Sequence, residues 1–88
     1  MANYELRIKK SAAKELEAVS RKTDRQRLVQ QIQSLADNPR PPGCKKLSGS
    51  NKYRIRQGNY RIVYSVEDDK LVVYVVKIGA RKDVYKAL

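Results

Sequence analysis

The 88-residue chain contains no histidine, tryptophan or phenylalanine and only one cysteine, Cys44. Each absence removes a kind of chemistry. Without histidine there is no imidazole to move protons near neutral pH or to ligate a metal. One cysteine excludes an internal disulfide and a cysteine-built metal site, and no histidine exists to activate it as a nucleophile. Cys44 therefore reads as a small loop residue in a reducing compartment. No apolar run approaches the length of a bilayer-spanning helix, and the opening "MANYELRIKK" lacks the apolar core of a signal peptide. The expectations are a cytoplasmic location and no membrane partner.

Acidic residues are scarce too: 9 Asp and Glu stand against 20 Lys and Arg, a net charge of +11. Such an excess favours polyanions, whether nucleic acid or an acidic protein. It is uneven, with nine basic and five acidic side chains in residues 1–44 and eleven and four in 45–88, so the second half is the expected contact surface. The length suits one small domain, residues 1–88, with a single aliphatic core and tyrosines at its margins.

Tyr4, Leu6 and Ile8 alternate with charged residues, the period of a strand with one buried face. Ser11 is placed to cap a short helix running to about Arg21 on Ala12, Ala13, Leu16 and Val19. Thr23 or Asp24 offers the cap of a second helix, whose stripe is Leu28, Val29, Ile32, Leu35 and Ala36 and which stops before Asn38 and Pro39. "NPRPPGCKKLSGSNK" holds all three prolines and reads as an ordered, irregular connector. "KYRIR", "YRIVYSV" and "KLVVYVVKI" follow as three strands separated by the turn clusters "QGN" and "EDD". The order β-α-α-β-β-β gives a two-layer α+β fold, with a helical hairpin on one face of an antiparallel sheet.

If Gly58 and Asn59 form a two-residue turn, Arg56 faces Arg61 and Arg54 faces Val63, which puts three arginines on one face of the strand pair. Like charges set opposite each other destabilise a sheet unless an anion lies between them. Tyr53, Ile55, Ile62 and Tyr64 take the other face toward the helices, so the arginines are expected on the open side. Solvent-facing arginines on a strand are ordinary; the clustering is what suggests a site, and a guanidinium fork suits phosphate. Arg81 and Tyr85 lie just past the last strand, within reach of the Gly58 turn. Tyr60, Tyr64 and Tyr74 read as core or rim. Glu67, Asp68 and Asp69 read as a solvated turn and not as a metal site.

The run "KLSG", then "YRIRQGNYRIVYSV", an apolar strand and "IGARKDVY", in that order and spacing, resembles a RelE-type member of the RelE/ParE superfamily of bacterial and archaeal toxins over nearly the whole chain. The resemblance implies an endoribonuclease that enters the ribosomal A site and cuts messenger RNA there. It also implies a cognate antitoxin and a toxin–antitoxin hetero-oligomer. It carries the basic strand residues onto Arg54 and Arg56, the next-strand arginine onto Arg61, and the C-terminal pair onto Arg81 and Tyr85. RelE-like proteins often have lysine at the first two positions; arginine hardly releases its proton, which speaks against Arg54 or Arg56 as a base.

Cutting RNA through its own 2′-hydroxyl needs a base, a cation at the phosphorane and a proton for the leaving 5′-oxygen. With no histidine, Tyr85 is the expected base, its phenol shifted downward by neighbouring arginines. Arg61 and Arg81 complete the catalytic set. Arg54, Arg56, Lys52, Lys45 and Lys46 are the expected RNA-binding residues, and no metal or cofactor is called for. Two other readings stay open: a ParE-like inhibitor of DNA gyrase, and a non-catalytic basic module that binds RNA or the ribosome.

Overall fold

Apolar alternation at both ends of the chain builds one sheet, and the aliphatic stripes between them build two helices that cover it. A computed structural model describes residues 3–80. Strand β1 (Glu5–Ile8) is followed after one residue by α1 (Lys10–Glu17) and then α2 (Lys22–Ser34). Four strands follow: β2 (Lys45–Lys46), β3 (Lys52–Gln57), β4 (Tyr60–Glu67) and β5 (Val72–Ala80). They form one sheet in the order β1-β5-β4-β3-β2.

The two-layer α+β architecture is the expected one, with two additions. Strands β2 to β5 are antiparallel to their neighbours, but β1 runs parallel to β5 from Glu5 opposite Val72 to Ile8 opposite Val75, so the sheet is mixed. The helical hairpin carries the chain from the β1 edge to the β2 edge, and β1 and β5, separated in sequence by both helices and three strands, are far enough apart along the chain to pair in parallel. The connector is also more regular than its prolines suggest, since Lys45 and Lys46 pair with Arg54 and Tyr53.

The core lies between helices and sheet. Ala12, Val19, Leu28, Ile32 and Leu35 meet Ile55, Ile62, Tyr64, Val66, Val73, Val75 and Ile78, with Tyr53 and Tyr60 packed at the edge. Leu28, Ile32 and Leu35 follow helical spacing, whereas Val29 is rotated off that stripe and is 37% exposed. The expected caps are not used. Helix α1 starts after Lys9 and α2 after Arg21, neither with a side-chain cap, which leaves Ser11, Thr23 and Asp24 inside the first turns. The carbonyl of Val19, freed by the end of α1 at Glu17, accepts a bond from Arg25 Nη1 at 2.5 Å. No helix among the described residues is long and apolar enough to cross a membrane.

Candidate functional site

The turn at Gly58 and Asn59 fixes the arginine face. Gly58 has φ of 60°, the left-handed conformation that a two-residue hairpin turn of this kind needs. Gln57 then faces Tyr60, Arg56 faces Arg61, Ile55 faces Ile62, Arg54 faces Val63 and Lys52 faces Ser65. Alternate residues share a face, so Lys52, Arg54 and Arg56 line up on β3 beside Arg61 on β4, away from the buried Ile55 and Ile62. Lys45, opposite Arg54, joins them from β2. Lys46 does not: it stands opposite Tyr53 and so belongs to the other face, at the exposed sheet edge.

The face is less open than expected. Arg54 is 6% exposed and Arg61 7%, and Val63, opposite Arg54 on β4, is fully buried. Both arginines sit on interior strands with neighbours on each side. Arg54 lies between Lys45 and Val63, and Arg61 between Arg56 and Gly79. Arg56 lies past the end of β2, has a strand neighbour on one side only, and is exposed. Gly79, the β5 partner of Arg61, contributes no side chain beside it. A notch of about 140 Å³ lies at the turn, lined by Arg56, Gly58, Asn59 and Arg61. A larger groove of about 360 Å³ lies on the other side of Arg56.

What the arrangement offers is concentrated positive charge without a conventional base. Arg81 and Tyr85 lie outside the described residues, so the expected meeting of Arg61 with that pair is not placed. Two other tyrosines are poor proton acceptors. Burial pushes the Tyr64 phenol above its ordinary range, with Cys44 adding to the effect, and the hydrogen bond to Asp68 raises that of Tyr4. Tyr74, read as core or rim, is 37% exposed and stands opposite Ser65, on the same side as Lys52. No cluster of Cys, Asp and Glu that could hold a metal ion occurs among the described residues.

One constellation escaped the sequence reading. Arg40, from the connector, donates Nη1 and Nη2 to Asp68 at 3.0 and 2.8 Å and Nε to the Tyr53 hydroxyl at 3.0 Å. The Tyr4 hydroxyl donates to Asp68 at 2.7 Å, and Tyr64, stacked on Tyr53, donates to the Pro39 carbonyl at 2.7 Å. Asp68 stays exposed in its turn, as the solvated-turn reading has it, and is in addition an anchor for the connector. Its partners stand 28 and 64 positions away in sequence, too far for local spacing to signal the contact. The Arg40 guanidinium, helped by Tyr4, holds the Asp68 carboxyl down to about 2, below its ordinary 3.8. A depressed carboxylate stabilises the fold above its unfolded pKa, and that contribution fades as pH falls through the folded value. We expect Asp68→Asn to lower the melting temperature at pH 6, and the gap from wild type to narrow from about pH 4 and close below about pH 2. Thermal melts across that range would show it; a gap as large at pH 2 as at pH 6 would refute the ionic anchor.

Known proteins share this fold. Residues 6–85 match the family model described as the ParE toxin of the type II toxin–antitoxin system parDE. A RelE-like toxin protein of Escherichia coli is 30% identical over 86 residues, covering 93% of this chain and 90% of that one. The mRNA interferase toxin RelE of E. coli is 35% identical over 63 residues, 68% of this chain and 65% of that protein. Among solved structures, the archaeal RelE–RelB complex from Pyrococcus horikoshii superposes with a TM-score of 0.81 at 30% identity, over 93% of this chain and 98% of that one. The intact E. coli RelBE toxin–antitoxin complex gives 0.77 at 32% identity, over 90% and 98%. The chain belongs to the RelE/ParE superfamily of type II toxin–antitoxin toxins, as a RelE-type member.

Proposed function

We propose that this protein is the toxin of a type II toxin–antitoxin pair: an endoribonuclease that cuts messenger RNA in the ribosomal A site and is neutralised by a cognate antitoxin. The observation that carries this is the register pairing Arg56 with Arg61 across the Gly58 turn, with Lys52, Arg54 and Lys45 continuing the line. Relatives named RelE and mRNA interferase support the nuclease branch over gyrase inhibition, although the matching family model is described as a ParE toxin. Type II complexes among the similar structures support an antitoxin partner.

The reaction needs no metal. The 2′-hydroxyl gives its proton to the phenolate form of Tyr85 and attacks the adjacent phosphorus. Arg61 and Arg56 take up the charge gathering on the phosphorane oxygens, the bond to the 5′-oxygen breaks, and that oxygen takes a proton from water while the Arg81 cation stabilises its charge. The products are a 2′,3′-cyclic phosphate and a 5′-hydroxyl. Arg54 with Lys45 and Lys52 holds the strand by its phosphates. An imperfect base explains a requirement for the ribosome, which presents the messenger in the reacting geometry.

Primer extension on a defined messenger, with and without programmed ribosomes, tests this. Cuts only with ribosomes, at ends that become ligatable after removal of a cyclic phosphate, are expected. Ends carrying a 3′-hydroxyl and a 5′-phosphate would overturn the 2′-hydroxyl mechanism. No cuts from folded protein, with loss of gyrase supercoiling in its presence, would move the protein to the other branch.

A further inference from the structure

Strand β2 stops where the larger groove begins. Its outermost pair is Lys45 opposite Arg54, so Ile55 and Arg56 have no strand beside them on the side away from β4 among the described residues. The connector is turned away at this point. Gly43 takes φ of 92°, a conformation that side chains resist, and the Cys44 N–H donates to the Pro41 carbonyl at 3.1 Å. The opening left behind is lined by Gln31 of α2, by Pro42 and Gly43, and by Lys45, Arg54 and Arg56.

Among the described residues, three cations and an amide line this groove and no carboxylate does. Arg54 is buried, and its Nε has no hydrogen-bond partner among the described residues. A buried guanidinium N–H without an acceptor is costly, so its environment is incomplete as it stands. An anionic ligand would complete it with a charge-assisted bond. Volume separates the two neighbouring cavities. The notch between Arg56 and Arg61, about 140 Å³, suits a phosphate group, whereas about 360 Å³ falls in the range of small-ligand pockets and suits a whole nucleotide.

We propose that the groove is a nucleotide subsite that receives the nucleotide next to the scissile phosphate, and that Gln31 reads its base. Lys45 and Arg54 hold that nucleotide's phosphate, and Arg56 stands between the two cavities and serves both. The Gln31 amide presents a donor and an acceptor together, the pattern that matches the paired groups on an adenine edge. An acidic antitoxin side chain would satisfy the charge, but it would leave most of the volume empty and give the amide nothing to read. The subsite rests on the nuclease reading above for its place beside the cut, while its affinity for a nucleotide stands apart from catalysis.

Two measurements test it separately. In the first, wild-type protein is titrated with adenosine 5′-monophosphate while the Gln31 side-chain amide is followed by NMR. A saturating shift, absent with inorganic phosphate, is expected; no shift overturns the subsite. In the second, cuts are mapped across all codons on programmed ribosomes for wild type and Gln31→Leu, with circular dichroism as the check of fold. The ratio between preferred and disfavoured bases at one position next to the cut is expected to fall about tenfold in the variant. An unchanged codon distribution overturns the proposal, as does an unchanged distribution accompanied by weaker binding of the purified antitoxin. A wild type that binds the nucleotide yet cuts nothing leaves the subsite standing and removes the nuclease reading.

Discussion

Arg61→Ala is expected to slow single-turnover cleavage about 10²- to 10³-fold, the loss typical of removing one preorganised donor at a developing oxyanion. The magnitude follows from where the residue sits. Arg61 is on the central strand, 7% exposed, held between Arg56 and the bare backbone of Gly79. A cation confined there meets the phosphorane without first being ordered, and it is poorly screened by water. Arg61→Lys keeps the charge but loses the two-oxygen fork, so its loss should be smaller. Tyr85→Phe removes only a hydroxyl and should cost a comparable factor if that oxygen takes the proton. Single-turnover cutting of a messenger on ribosomes, with melting curves for each variant, provides the check. Wild-type rates in a folded Arg61→Ala would refute the role of Arg61, and wild-type rates in Tyr85→Phe would favour a module that only binds.

How much of this was legible in the sequence depends on the range of the contact that fixes each feature. The Gly58–Asn59 turn is local, and from it the pairing of Arg56 with Arg61 follows one step at a time, each step confirmed by the register. The alternation of Ile55, Ile62 and Tyr64 toward the helices is local in the same way. Burial of Arg54 and Arg61 is not local, because it depends on which strands flank β3 and β4, and strand order leaves no mark on a single strand's pattern. The same holds for the parallel placement of β1 and for Lys46, whose face depends on its pairing with Tyr53. The groove needs three separate segments, α2, the connector and β3, so no motif announces Gln31.

Tyr64→Ala should produce the largest loss of stability among single changes in the sheet, about 3–5 kcal/mol, because it removes a fully buried aromatic ring. The ring packs within the core and stacks on Tyr53 at 5.9 Å, while its hydroxyl ties the Pro39 carbonyl at 2.7 Å. Truncation to alanine leaves a cavity and also frees a carbonyl at the buried Pro39. For a domain of this length the melting temperature should fall by more than about 12 °C. Tyr64→Phe keeps the ring and removes only the anchor, so it should cost about 1–2 kcal/mol, the net worth of a buried bond whose acceptor is left unmet. Urea titrations of the two variants separate ring from hydroxyl. If Tyr64→Phe unfolds at the wild-type midpoint, the bond to Pro39 does not hold the connector. If it is destabilised while the alanine variant is far more so, the fold and the groove share one fastening. The connector that Tyr64 pins at Pro39 is the segment that supplies Pro42, Gly43 and Lys45 to the groove.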